Sequence, residues 1–301
     1  MVDRVANTRK WIKGNEDTVP SLKREGWNFK TAEAAEVLAR ASQEGNSKLV
    51  KALLAEGVAL SGAADVGNSP LAAAAASGNR ASVRMLIEAG AGKDNPSMKA
   101  EALGAAARSG DLELVRMLLD YGGDPKLPIK SEEGPSTVLM WAATSGVPEV
   151  METILAGHPD VNARDERGHT ALWYISEAST YRDERHHADR AQVVHLLAKA
   201  GGDLNSQDDE GDTALHTAYG AEVARALIED GANVNIRNAN GETPLMRNFS
   251  AEAAKLLVAA GADIHARNNE GKTALDLARE LEPDGERVRF LESVLKSEPR
   301  K

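Results

Sequence analysis

Histidines, paired carboxylates and glycine-rich segments are the places where this chain could do chemistry. His186 and His187 lie beside Asp183, Glu184 and Asp189, and imidazole with carboxylate is a zinc-ligand set. That segment is polar and gains no fixed geometry from its neighbours, so no metal is expected there. Gly271-Lys272-Thr273 matches the tail of a phosphate-binding loop, but the glycine such a loop needs at position 266 is Ala266. Gly90-Ala91-Gly92 lacks the third glycine and the preceding strand of a dinucleotide loop. No Gly-x-Ser-x-Gly segment occurs. There is no cysteine, which excludes thiol nucleophiles and thiolate metal sites. Acidic runs stand at Glu132-Glu133, Asp165-Glu166 and Asp208-Asp209-Glu210. Paired carboxylates catalyse only when their environments pull their pKa values apart. On exposed tips both stay ionised. No catalytic residue and no cofactor are expected.

Composition narrows the class further. The 301 residues carry a net charge of −10, which disfavours wrapping a phosphate backbone, so no nucleic acid is expected as partner. No run of 18 apolar residues exists to span a membrane. Met1 to Lys13 lacks the apolar core of a secretory signal. The expectation is a cytoplasmic protein, with a periplasmic or secreted one after signal removal as the alternative. Aromatics make up only 4%, against abundant Ala and Leu, which favours small, closely packed helices over a β-sandwich.

What positions any functional residue is an internal repeat of about 33 residues. From Leu71 the chain runs Ala74, Ala75, Gly78, Val83, Leu86 and Gly90. The same types return at Leu103, Ala106, Ala107, Gly110, Val115, Leu118 and Gly122. Leu38 and Leu139 open further copies. Leu with Ala at i+3 and i+4 makes the apolar stripe of a first helix, and a glycine ends it. The Val and Leu residues make a second helix. The anchors Leu38, Leu71, Leu103, Leu139, Leu172, Leu215, Leu245 and Leu275 are spaced 33, 32, 36, 33, 43, 30 and 30. The 43 holds an insertion around residues 179–190. The two 30s lose about three residues at the inter-helix turn.

Gly241-Glu242-Thr243-Pro244-Leu245, Gly211-Asp212-Thr213-Ala214-Leu215-His216 and Gly271-Lys272-Thr273-Ala274-Leu275 resemble the opening of an ankyrin repeat. Gly231-Ala232-Asn233-Val234-Asn235 and Gly261-Ala262-Asp263-Ile264-His265 resemble its close. The resemblance implies an all-α solenoid of helix-turn-helix units joined by short β-hairpin-like loops, with repeats over 31–280. Residues 1–30 fit no copy; with Trp11 and Trp27 they read as a cap, an extra helix or a disordered leader. Residues 281–301 read as a capping helix and tail, with Val288, Leu291 and Leu295 inward and Glu286, Arg287, Glu292 and Lys296 in water. The family implies binding of another protein and no catalysis, and the composition resembles that of bacterial members that occlude a toxin or enzyme; the alternatives are an adaptor joining two proteins and, behind it, a metal-dependent small-molecule binder using the 179–190 insertion.

By that resemblance the hairpin tips and first helices line a concave binding face. The position two after each anchor reads Ala73, Ala105, Trp141, Tyr174, Thr217 and Arg247. Trp173 and Glu177 adjoin it. Asp165, Glu166, Asp208 and Asp209 form an acidic rim, and Tyr181 and Arg182 lie on the insertion beside it. These twelve residues, Trp141 through Arg247, are the expected partner site, suited to a protein with a basic patch. The other reading of Trp141 and Trp173 is that they fill gaps left by the irregular spacings. His169 is expected to be exposed at a turn, and His216 to brace its own turn. The alanines of the second and third copies argue against a second site, and the free chain is expected to be a monomer.

Overall fold

The computed structural model describes residues 18–61, 69–131, 134–177, 187–218, 220–247 and 250–297. These fall into two compact units, Met1–Ser145 with Thr153–Pro159, and Gly146–Glu152 with Asp160–Lys301.

Among the described residues, unit one opens with α1 (Thr18–Arg24), then the pairs α2 (Ala32–Gln43) and α3 (Ser47–Ala55), α4 (Pro70–Ala76) and α5 (Arg80–Glu88), and α6 (Pro96–Ser109) and α7 (Leu112–Asp120). It continues through strands β1 (Pro128–Ser131) and β2 (Gly134–Thr137) into α8 (Val138–Ser145). First helices α2, α4, α6 and α8 stack in order, and so do the second helices α1, α3 and α5. The anchors Leu38, Leu71, Leu103 and Leu139 are all buried, as are the alanines beside them. Methyl side chains let neighbouring helices close on one another; truncating one such leucine to alanine costs about 2–5 kcal/mol. Asn46, Asn79 and Asp111 cap the second helices, each side chain accepting from the backbone N–H three residues on.

Two features are finer than the sequence reading. Residues 18–27 are the second half of a further copy. Val19, Leu22 and Gly26 stand 31 positions before Val50, Leu53 and Gly57 and repeat their roles. Gly26 and Gly57 take φ of 71° and 72°, and Trp27 N donates to Leu22 O as Val58 N donates to Leu53 O. The extra residues in the 36-residue spacing form an antiparallel hairpin, pairing Pro128 with Thr137 and Ser131 with Gly134. Its Ile129 is fully buried against α6, where a Cβ on Gly104 would lie 2.3 Å from Ile129 Cδ1. Only glycine admits that approach.

α9 (Pro148–Leu155) spans the division between the units. Unit two then holds α10 (Ala171–Glu177) and α11 (His187–Lys199), α12 (Ala214–Thr217) and α13 (Ala221–Glu229), α14 (Pro244–Arg247) and α15 (Ala251–Ala259), and α16 (Ala274–Leu281) and α17 (Glu286–Ser297). First helices and second helices again form two stacked rows. α12 and α14 have four residues each, the physical result of the 30-residue spacings. Arg287, expected in water, is instead 5% exposed. Its Nη2 donates to the carbonyls of Leu245 and Met246, groups that a longer α14 would have bonded internally. No described helix is long and apolar enough to cross a membrane.

Candidate protein-binding face

The hairpin tips of unit two are built on one device. Asp165 Oδ1 accepts from the N–H groups of Arg167 and His169. Asp208 Oδ1 does the same for Glu210 and Asp212, Asn238 for Asn240 and Glu242, and Asn268 for Glu270 and Lys272. A short side chain closing its own turn is the reason Asp or Asn stands there. Adjacent tips are joined by Asp209 N to Arg167 O, Ala239 N to Glu210 O and Asn269 N to Asn240 O, at 2.9–3.0 Å. In the first three tips the residue before the Asp or Asn reaches to the next tip. Arg164 donates to Gln207 O, Gln207 to Arg237 O, and Arg237 to Arg267 O.

The side chains of Asp165 and Asp208 are therefore 8% and 6% exposed, not on the open rim that the sequence suggested. Their carboxylates enclose His169, also buried. His169 Nδ1 lies 3.0 Å from Asp165 Oδ2, and Nε2 lies 3.7 Å from Asp208 Oδ2. The imidazole stacks on Trp173, with centroids 3.6 Å apart and planes 18° apart. Tyr174 stands edge-on to Trp173 and donates its hydroxyl to Asp165 Oδ2 at 2.8 Å. Burial alone would raise the Asp165 carboxyl. The Tyr174 hydroxyl and the two backbone donors outweigh it and hold the carboxyl below its ordinary value. Trp173 Nε1 is covered and meets no acceptor among the described residues.

Thr217 is likewise turned inward. It is 6% exposed, its hydroxyl shares a hydrogen bond with Ser176 Oγ at 3.1 Å and donates to Ala214 O. Arg247 is half-buried and held to Asp212 Oδ2 at 3.0 Å, while Asn238 Nδ2 donates to Asp212 Oδ1. What remains open is Glu166, Arg167, Asp209 and Glu210 on the tips, with Trp173, Tyr174 and Glu177 partly exposed beside them. Tyr181, Arg182 and His186 lie outside the described residues, and of His187 only the backbone at the start of α11 is described. Among the described residues no three His, Asp or Glu side chains converge as metal ligands.

Trp141 belongs to unit one. It is half-buried, its indole filling the space beside Gly104 on one side and meeting the Arg108 guanidinium at 5.8 Å on the other. It thus fills a gap and keeps an open face.

His216 serves structure. Thr213 N donates to its Nδ1, so Nε2 carries the proton and donates to Glu242 O at 3.1 Å. Burial pushes its pKa down, against the pull of the Asp212 carboxylate. The missed member is His169. Its signal is the spacing to Trp173, one helical turn on, which lets the two rings meet.

A family model described as ankyrin repeats, in three copies, matches residues 10–99, 103–183 and 185–268. A comparison with curated protein sequences finds no match.

Proposed function

Because the chain belongs to the ankyrin-repeat family, whose repeats mediate protein–protein interaction and are generally non-catalytic, we propose that it is a non-enzymatic binder that occludes a partner protein, as a stoichiometric inhibitor or immunity-type protein. The observation that carries this reading is where the charge sits. Unit two holds 18 basic and 28 acidic residues, a difference of −10, whereas unit one holds 18 of each. The whole net charge of the chain thus lies in the unit that presents Trp173 and Tyr174 between Glu166, Asp209 and Glu177. An aromatic centre with an acidic rim fits a basic patch on the partner, the rings supplying affinity and the rim speeding association.

Affinity capture from the native host, with identification of the retained protein, supplies the partner for the test. Inhibition titrates to zero partner activity at one to one. Trp173→Ala weakens binding by about 2 kcal/mol with unchanged helicity, and Glu166→Gln with Asp209→Asn slows association. A partner that stays fully active in the complex removes the inhibitor reading and leaves an adaptor joining two proteins.

A further inference from the structure

The unit with no net charge has its own open face. Positions two and five after the anchor leucines place Arg40, Ala73, Ala76, Ala105, Arg108 and Trp141 along one side of the stacked helices α2, α4, α6 and α8. Arg108 and Ala76 are exposed, Arg40, Ala73 and Trp141 half-buried. The Nη1 of Arg40 is covered and meets no acceptor among the described residues. Arg108 leans on Trp141, centroid to guanidinium carbon 5.8 Å. Neither guanidinium has an acidic partner among the described residues, although Arg80 on the second-helix row is paired with Asp111 at 2.8 Å. In a chain with 46 acidic and 36 basic residues, leaving two arginines of one face unpaired around a floor of alanines is a selective arrangement.

We infer that this face is a second docking site, for an extended acidic segment of a partner protein. A guanidinium takes a carboxylate through its outward N–H groups, through two in parallel where the fork is open, as at the exposed Arg108. Arg40 and Arg108 stand two copies apart, about 20 Å at the usual spacing of packed helices. Extended chain covers about 3.3 Å per residue, so a segment of about six residues with carboxylates at both ends meets both arginines. The alanine floor between them lets its backbone lie close. The face is separate in residues and opposite in charge from the acidic tips of unit two. The alanines that argued in the sequence against a second site are the floor of one.

The test uses the full chain and a fluorescein-labelled octapeptide of alternating Glu and Gly, followed by anisotropy. Its counterpart with Gln for Glu is the neutral control. The Glu peptide binds and weakens with added salt, the Gln peptide does not, and Arg40→Gln and Arg108→Gln each weaken the Glu peptide at least about tenfold. Circular dichroism checks that both variants keep the parent helicity. Glu166→Gln with Asp209→Asn leaves the peptide's affinity unchanged, which separates this face from the one proposed above. Equal binding of the two peptides, no binding of the Glu peptide at 1 mM (about −4 kcal/mol,), or undiminished binding by the arginine variants overturns the inference.

Discussion

Arg287 donates to the carbonyl oxygen of Leu245 at 2.8 Å, across 42 residues, and to that of Met246 at 3.1 Å. A buried guanidinium on the last helix thereby completes a first helix of four residues. Arg287→Met keeps the apolar stem and removes the donors, leaving two buried carbonyls bare. The expected loss is about 2–4 kcal/mol, read from urea midpoints. An unchanged midpoint would show that water reaches those carbonyls.

Acid should weaken the fold through His216. Its folded pKa is depressed, so near pH 6 the unfolded chain, with a histidine pKa of about 6.5, binds more protons than the folded one. Stability is then fully present above the unfolded value and falls as pH drops through it. Melting temperatures between pH 7.5 and 5 check this. His216→Asn should flatten the slope, and an identical slope in that variant would place the acid sensitivity elsewhere.

Tyr174→Phe removes one of the donors that hold Asp165 ionised. The carboxyl moves up toward its ordinary value of about 3.9. Since a depressed carboxyl stabilises above its unfolded pKa and loses that contribution as pH falls, the acid limb of the variant begins at higher pH. At pH 7 the cost is about 1 kcal/mol. Denaturant titrations at pH 7 and pH 4 give both quantities.

His158 is the only non-glycine with positive φ among the described residues, at 54°. Gly201, Gly231 and Gly261 hold the same place at the end of the second helix in later copies, with φ of 93°, 99° and 89°. His158→Gly should therefore stabilise by about 1 kcal/mol. A lowered melting temperature would mean that the exposed imidazole makes a contact worth more than the backbone strain.

The repeat was legible because packing imposes it. Buried leucine and close-approach alanine recur at fixed offsets, as stacked pairs of short helices require. The hairpin at 128–137 was not legible. Pro128, Gly134 and Pro135 are poor strand formers, and its only trace was a spacing of 36. The copy before Ala32 escaped notice because Val19, Leu22 and Gly26 follow the second-helix pattern while Trp27 stands where Val58 does. Its mark in the sequence is the offset of 31 to Val50, Leu53 and Gly57. At the candidate face the sequence left the direction of the polar side chains open. Asp165, Asp208 and Thr217 are polar residues at the expected places, but local turns and neighbouring hydroxyls claim their polar atoms. Arg287 was misplaced for the same reason, since the carbonyls that attract it belong to the first helix of the preceding copy. Backbone groups in need of partners leave no mark on composition.

Asp208, Asn238 and Asn268 sit 30 residues apart in one backbone geometry, each closing its turn and each on a tip bonded to the one before. The array is thus modular at those joints. A chain lacking residues 209–238 would run from one such turn straight into an equivalent one, with its rungs restored across the splice. Lengthening or shortening unit two by whole copies is an edit that the architecture accepts, so the span it offers to a ligand can change without redesign of its interior.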